Sequence, residues 1–158
     1  MNKILSHGLV VLWMVVIFCF SAQPGDLSSD FSEGFTHLVM SVINQLFSLG
    51  WEETKVIEMT AMWDYPIRKL AHMTEFGILA GLMLSVMKYY KKIDTKVKSY
   101  CVAWAGAVLY AMTDEFHQRF VPDRSGNWFD VCVDATGALI GLLVIWAIAH
   151  MWRKIRKR

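Results

Sequence analysis

The stretch "YCVAWAGAVLYAMTDEFHQRFVPDRSGNWFDVCVDATGALIGLLVIWAIAHMW", residues 100–152, decides how the rest of the chain is read. Its second apolar segment, 135–152, approaches the ~20 residues that a membrane-spanning helix needs. Its first, 100–112, is long enough only if "TDEFHQRF" continues the same helix into the membrane. Such polar residues are costly against lipid and are tolerated where they face a protein interior or a water-filled cavity. Between the two lies "VPDRSGNW", where Pro122 and Gly126 are turn residues, so the whole stretch reads as two helices joined by a short ordered connection.

Two further apolar runs extend this pattern toward the N-terminus, "ILSHGLVVLWMVVIFCF" at 4–20 and "FGILAGLMLSVM" at 76–87. Of the 158 residues 55% are hydrophobic and 19% charged, a balance that leans away from an ordinary soluble domain. The fold expected is an all-α membrane protein in one domain, with four transmembrane helices at about 4–22, 66–88, 99–119 and 130–152. A secretory signal peptide is the rival for the N-terminus, but Phe20 stands where a cleavage site wants a small residue. Phe18 likewise precedes Cys19 where a lipoprotein signal wants a small one. Cys19, Cys101 and Cys132 lie in or beside apolar segments at no metal spacing and read as packing residues.

Eleven of the sixteen basic residues fall at the N-terminal tip (Lys3), between the second and third spans (Lys88, Lys91, Lys92, Lys96, Lys98) and in the tail (Arg153, Lys154, Arg156, Lys157, Arg158). Asp94 is the only acid among them. By the positive-inside rule both termini and the lysine-rich segment are expected in the cytoplasm, and the cell membrane is the expected location. A nucleic-acid role does not fit so much apolar sequence. The other side receives the extracytoplasmic segment 23–64, in which Phe31, Phe35, Leu38, Val39, Val42, Ile43, Leu46 and Phe47 follow the spacing of an amphipathic helix. Gly50 is a plausible stop for it. This outer-surface helix either packs over the bundle or lies in the outer interface, and amphipathicity alone does not choose.

Counting ~1.5 Å per residue from the cytoplasmic anchors puts Glu75 about 20 Å from Lys88 and Asp114 about 21 Å from Tyr100, hence at similar depth. Arg68, His72, His117 and Gln118 come somewhat higher, and Ser21, Gln23 and Asp134 near the outer boundary. At ~100° per residue Arg68, His72 and Glu75 share one stripe, Tyr110, Asp114, His117 and Gln118 another, and Asp130, Asp134, Gly137 and Gly141 a third. The aligned glycines suit close approach of a neighbouring helix, and "GALIG" is a small-xxx-small motif. A second such motif, "GILAG" at 77–81, lies on the face away from His72 and Glu75 and reads as a packing or dimerisation surface.

Carboxylate and imidazole one turn apart occur twice, His72 with Glu75 and Asp114 with His117. On facing helices such pairs resemble the ligand sets that bundles use for divalent metals. There is no HExxH and no cysteine pair, and neither a metal nor another cofactor is settled by the residues. General acid–base work by His72, Glu75, Asp114, Glu115 and His117 needs no metal, because buried carboxylates beside histidine and arginine can exchange protons near neutrality. Gln23, Arg68, Lys69, Gln118, Arg124, Asp130 and Asp134 form the candidate binding set, the cations suiting a phosphate or carboxylate. The plainer alternative is an ion network that only fixes helix register, for which this many ionisable groups is more than one or two such devices need.

The blocks "FSAQPG", "RKLAHMTEFGILAG" and "DEFHQRFVPDRSGNWFDVCVDATGALIG", in this order, resemble the VanZ-like membrane proteins, a family named for a glycopeptide-resistance accessory protein linked to teicoplanin. The resemblance spans nearly the whole chain. It marks Ser21, Gln23, Lys69, His72, Glu75, Asp114, Glu115, Gln118, Pro122, Arg124, Asp130 and Gly137 as family positions, and Asp134 stands where the family often has Asn. It implies a compartment more directly than a reaction. Two functions remain: an enzyme acting at the outer leaflet on a lipid-linked or anionic envelope ligand, and a non-catalytic binder that sequesters or excludes an amphiphile. Transport fits less well, because the inner halves of the spans are apolar apart from His7 and His150.

Overall fold

Helices start in this chain where a short polar side chain can accept one of the backbone amides left free in a first turn. In a computed structural model of the protein, which describes residues 2–90 and 95–156, Asn2, Thr95 and Asn127 do so for three of five helices. The helices are α1 (Lys3–Ser21), α2 (Gly25–Leu46), α3 (Glu53–Met87), α4 (Lys96–Gln118) and α5 (Trp128–Ile155), and no strand occurs among the described residues. Lys91, Lys92, Asp94, Lys157 and Arg158 lie outside the described residues.

Three helices, α1, α3 and α5, are long and apolar enough to cross a membrane, which makes this a multi-pass membrane protein by length and composition. The fourth expected span, α4, packs along the bundle beside α3 and α5 without matching their apolar length. It has 23 residues, but Lys96 and Lys98 at one end and Asp114 and Glu115 at the other leave too short an apolar middle. Its buried face is a stripe of Ala103, Ala107 and Ala111 that ends in Asp114, Glu115 and Gln118. Large apolar side chains point outward instead: Val11, Leu12 and Val15 on α1, Leu109 on α4, and Leu143, Val144 and Ile148 on α5 are all exposed. Small residues inside and large apolar ones outside is the distribution expected of helices solvated by lipid.

Trp13 Nε1 donates to the Glu75 carbonyl (2.9 Å) and Tyr110 Oη to the Met14 carbonyl (2.6 Å), while Ser6 lies 3.4 Å from the Tyr89 hydroxyl. With Ser21 on Asp114, Lys69 on Asp130 and Gly81 beside Ile145, these contacts set α1 and α4 in one direction and α3 and α5 in the other. Lys3, Lys88, Lys96, Lys98, Arg153, Lys154 and Arg156 consequently gather at one end of the bundle. The candidate site residues gather at the opposite end.

The span expected to begin near 66 is the second half of a longer helix. α3 runs unbroken for 35 residues from Glu53, through Pro66, and at ~1.5 Å per residue is about 52 Å long. Proline inside a helix forfeits one backbone hydrogen bond and crowds the preceding turn. Packing against α2 compensates: Ser32 and Thr36 both donate to Asp64 Oδ1, at 2.6 and 3.1 Å, and Thr36, Met40, Val56 and Thr60 are buried. In the connection, Asn44 clasps the backbone of Trp51 through two hydrogen bonds of 3.0 Å, and Gly50 takes a left-handed φ of 67°. The apolar stripe on α2 is not what packs. Phe31, Phe35, Leu38, Val42 and Leu46 are exposed, and the more polar face meets α3.

The tightest packing joins α3 to α5. A Cβ on Gly141 would come within 2.7 Å of the Gly77 backbone, and one on Gly137 would overlap the Met73 backbone. The two small-xxx-small motifs therefore pair with each other inside one chain. Around this crossing Phe76, Leu79, Ala80, Ala138 and Leu142 complete the core with Ile17 of α1.

Candidate functional site: a polar chamber beside an apolar groove

Just beyond the glycine crossing, the polar ends of the helices enclose two adjoining cavities. The first, of about 160 Å³, is a polar chamber whose walls include Arg68, Lys69 and His72 of α3, Glu115 and Gln118 of α4, and Asp130 and Asp134 of α5. Ser28 and Ser29 of α2 and Arg124 of the α4–α5 connection close it. The second, of about 140 Å³, is an apolar groove bordered by Phe20, Phe31, Phe35 and Ile67, with Gln23 and Glu75 also on its wall. Ser28, Arg68, His72 and Arg124 line both, so they mark the junction.

Beneath the chamber a chain of hydrogen bonds ties four segments together. Ser21 Oγ donates to Asp114 Oδ2 (2.7 Å), and Gln118 Nε2 donates to the same oxygen (2.9 Å). Gln118 Oε1 in turn accepts from Arg124 Nη1 (3.3 Å). The remaining Arg124 bonds go to carbonyls at the end of α1, Nε to Gln23 (3.2 Å) and Nη2 to Phe20 (3.2 Å). A guanidinium suits this position, because the last carbonyls of a helix have no partner within it and carry partial negative charge. Burial, and Arg68 beside it, pull the Arg124 guanidinium below its ordinary range. It stays charged at neutral pH, since arginine starts so far above it.

The connection that carries Arg124 is itself fixed. The Asn127 amide donates to Glu115 Oε2 (2.8 Å), and the Gly25 amide donates to the Pro122 carbonyl (3.0 Å). A Cβ at Gly126 would collide with the Glu115 carbonyl and one at Gly25 with that of Asp123, so only glycine allows these approaches. Asp123 adopts a φ of 56°, the left-handed region that aspartate tolerates. Across the chamber Lys69 Nζ meets Asp130 Oδ1 at 2.5 Å, with both side chains mostly buried.

The twelve expected site residues thus converge from α3, α4, α5 and the flanking connections, but unequally. His72, Arg68, Lys69, Glu115, Gln118, Arg124, Asp130 and Asp134 line the chamber, while Glu75 and Gln23 open onto the groove. His72 Nδ1 lies 3.8 Å from Glu75 Oε2, with both side chains about one quarter exposed. Asp114 lies under the chamber as a support, holding Ser21 and Gln118. His117 turns away to pack against Phe18, ring centroids 4.7 Å apart and planes tilted by 42°, and lines neither cavity. Its spacing from Asp114 is helical, but the i, i+3 offset carries it toward α1.

His117 thus stands apart from the chamber, and no group of three or more His, Cys, Asp or Glu placed to hold a metal occurs among the described residues. Ser28, Ser29, Asp123 and Ser125 also line the chamber and were not expected from the sequence. The serines carry no signal alone, and only the fold of α2 back onto α3 brings them in. Asp134 Oδ2 is buried with no hydrogen-bond partner among the described residues, as is Asp114 Oδ1.

A model of the family described as VanZ/LLP1 matches residues 8–150, which takes in every helix and both cavities. No curated protein and no solved structure matches the chain.

Proposed function

The chain belongs to the VanZ/LLP1 family, and from that premise we propose that it binds a lipid-linked or otherwise amphiphilic ligand of the cell envelope, with the headgroup in the chamber and the tail in the groove. The observation that carries this reading is the junction itself: a polar cavity and an apolar one share Ser28, Arg68, His72 and Arg124. A ligand crossing that junction presents tail and headgroup to matching surfaces. Arg68 is the cation best placed to receive an anionic group, since it makes no hydrogen bond or ion pair to another described residue, whereas Lys69 is paired with Asp130 and Arg124 holds α1. In orientation, the basic end of the bundle is cytoplasmic, with both termini, and the chamber opens at the extracytoplasmic side. Occupying or altering an envelope lipid there is the route by which such a protein would contribute to glycopeptide resistance of the teicoplanin type.

Extraction and mass spectrometry of amphiphiles that copurify with the protein test the reading. Wild type is expected to carry an amphiphile that Arg68→Ala and Phe35→Asp lose. Equal content in all three would remove the support for a binding site here.

A second reading, that the ligand is modified as well as bound, is favoured by the His72–Glu75 pair at the junction, where an imidazole backed by a carboxylate faces the expected headgroup position. Envelope lipid profiles of cells carrying wild type, His72→Ala or no protein separate the two. A product present only with wild type supports modification, and three identical profiles leave binding alone.

A further inference from the structure

We propose that the chamber recognises a zwitterionic headgroup, a phosphodiester followed by a protonated amine, as in an aminophospholipid. This rests on the amphiphile-binding reading above and names the chemistry of its ligand. The residues are ordered along the cavity in the sequence that such a molecule requires. Apolar Phe20, Phe31, Phe35 and Ile67 border only the groove, Arg68, Arg124 and Ser28 stand at the junction, and Glu115, Asp130 and Asp134 line only the chamber beyond it. A tail, a phosphate and an amine placed in that order meet an apolar wall, a cationic one and an acidic one.

The charges within the chamber argue against a purely anionic headgroup. Arg68, Lys69 and Arg124 face Glu115, Asp123, Asp130 and Asp134. Lys69 and Asp130 neutralise each other, so an anion held by the two arginines would still have Glu115 and Asp134 close by with no counter-charge. An ammonium supplies it. Asp134 is 2% exposed, and its Oδ2 has no partner among the described residues, a costly arrangement for a carboxylate unless a ligand completes it.

The phosphate end is provided for in the same way. Ser28 and Ser29 line the chamber near the start of α2, and neither hydroxyl bonds to another described residue. Size agrees as well. The chamber of about 160 Å³ has room for several waters, enough for a small headgroup.

The full chain in detergent, presented with lipids of identical acyl chains, tests this by native mass spectrometry. The probes are phosphatidylethanolamine, its N-acetylated form, phosphatidylglycerol and diacylglycerol. Wild type is expected to retain phosphatidylethanolamine about tenfold better than the N-acetylated form, which keeps the phosphate and loses the cation. Asp134→Asn is expected to reduce that ratio to about threefold or less and to raise phosphatidylglycerol retention rather than lower it. Phosphatidylglycerol bound as well as or better than phosphatidylethanolamine by wild type would overturn the zwitterion assignment and leave amphiphile binding standing, and this comparison needs no variant to fold. Undiminished discrimination in Asp134→Asn would also overturn it. No preference for any phospholipid over diacylglycerol would sink both readings.

Discussion

Helices α3 and α5 meet in two ways within a few turns of each other. At Gly77, Gly137 and Gly141 they touch backbone to backbone, with no side chain between them and a Cβ excluded. One to two turns further along, Lys69 and His72 face Asp130 and Asp134 across an open chamber. The close contact forms the floor of the open one, because two straight helices held together at one point by glycine leave space beyond it for large polar side chains. Tight packing and a water-accessible site are thus made by one crossing rather than by separate parts of the protein. The crossing depends on volume and the chamber on charge, so substitutions should separate them.

The largest effect is expected at the crossing. Gly137→Leu drives a side chain into the Met73 backbone and should destabilise the protein by about 3 kcal/mol or more, seen as loss of folded protein in detergent thermal unfolding. Breaking the charge pairing comes next. Lys69→Met leaves Asp130 partly buried without its partner and should cost about 1–2 kcal/mol, less than a fully buried pair would. Adding Asp130→Leu should recover most of that loss. If the single variant is as stable as wild type, the pair does not help hold the chamber.

Asp114→Ala withdraws the acceptor of Ser21 and Gln118 and should cost about 1 kcal/mol, since hydrogen bonds between membrane helices are individually modest. Its diagnostic effect is at a distance: Gln118 keeps only Glu115 as a carboxylate acceptor, its hold on Arg124 loosens, and proteolysis of the 119–127 connection should accelerate. The smallest change is a gain. Gly34 lies mid-helix in α2, and a methyl added there would have nothing within 4 Å, so Gly34→Ala should stabilise by about 0.5–1 kcal/mol. A loss there would mean that α2 packs against something at that face.

What the sequence made legible follows from what helical periodicity records. Depth counting and the 100° stripes brought Arg68, His72, Asp114, Gln118, Asp130 and Asp134 to one end of the bundle, because each helix carries its polar residues on one face. The same reading put Gly137 and Gly141 at a close approach. Periodicity does not say which partner a face meets. His117 shares the stripe of Asp114 and still turns to Phe18, since the choice depends on where α1 stands. For α2 amphipathicity left open whether the apolar stripe packs over the bundle or lies in the outer interface; Thr36 and Ser32 on the other side find Asp64, and Phe31, Phe35, Leu38, Val42 and Leu46 of the stripe stay exposed. The second span was expected to begin near 66, and packing along Glu53–Asp64 extends its helix back to Glu53 through Pro66. Ser28 and Ser29 were invisible for the same reason.

Arg124 closes a circuit between parts of the chain made at very different times. Its guanidinium holds the carbonyls of Phe20 and Gln23, 104 and 101 residues earlier. At about 5–20 residues per second of synthesis, it emerges about 5–20 s after the segment it secures. Over that interval the end of α1 has no such clamp, and Ser21 waits almost as long for Asp114. The chamber is therefore completed late in translation, once Arg124 and then Asp130 and Asp134 of α5 have been made, and a chain stalled before residue 124 has three of its helices finished and a fourth begun or formed, but no site.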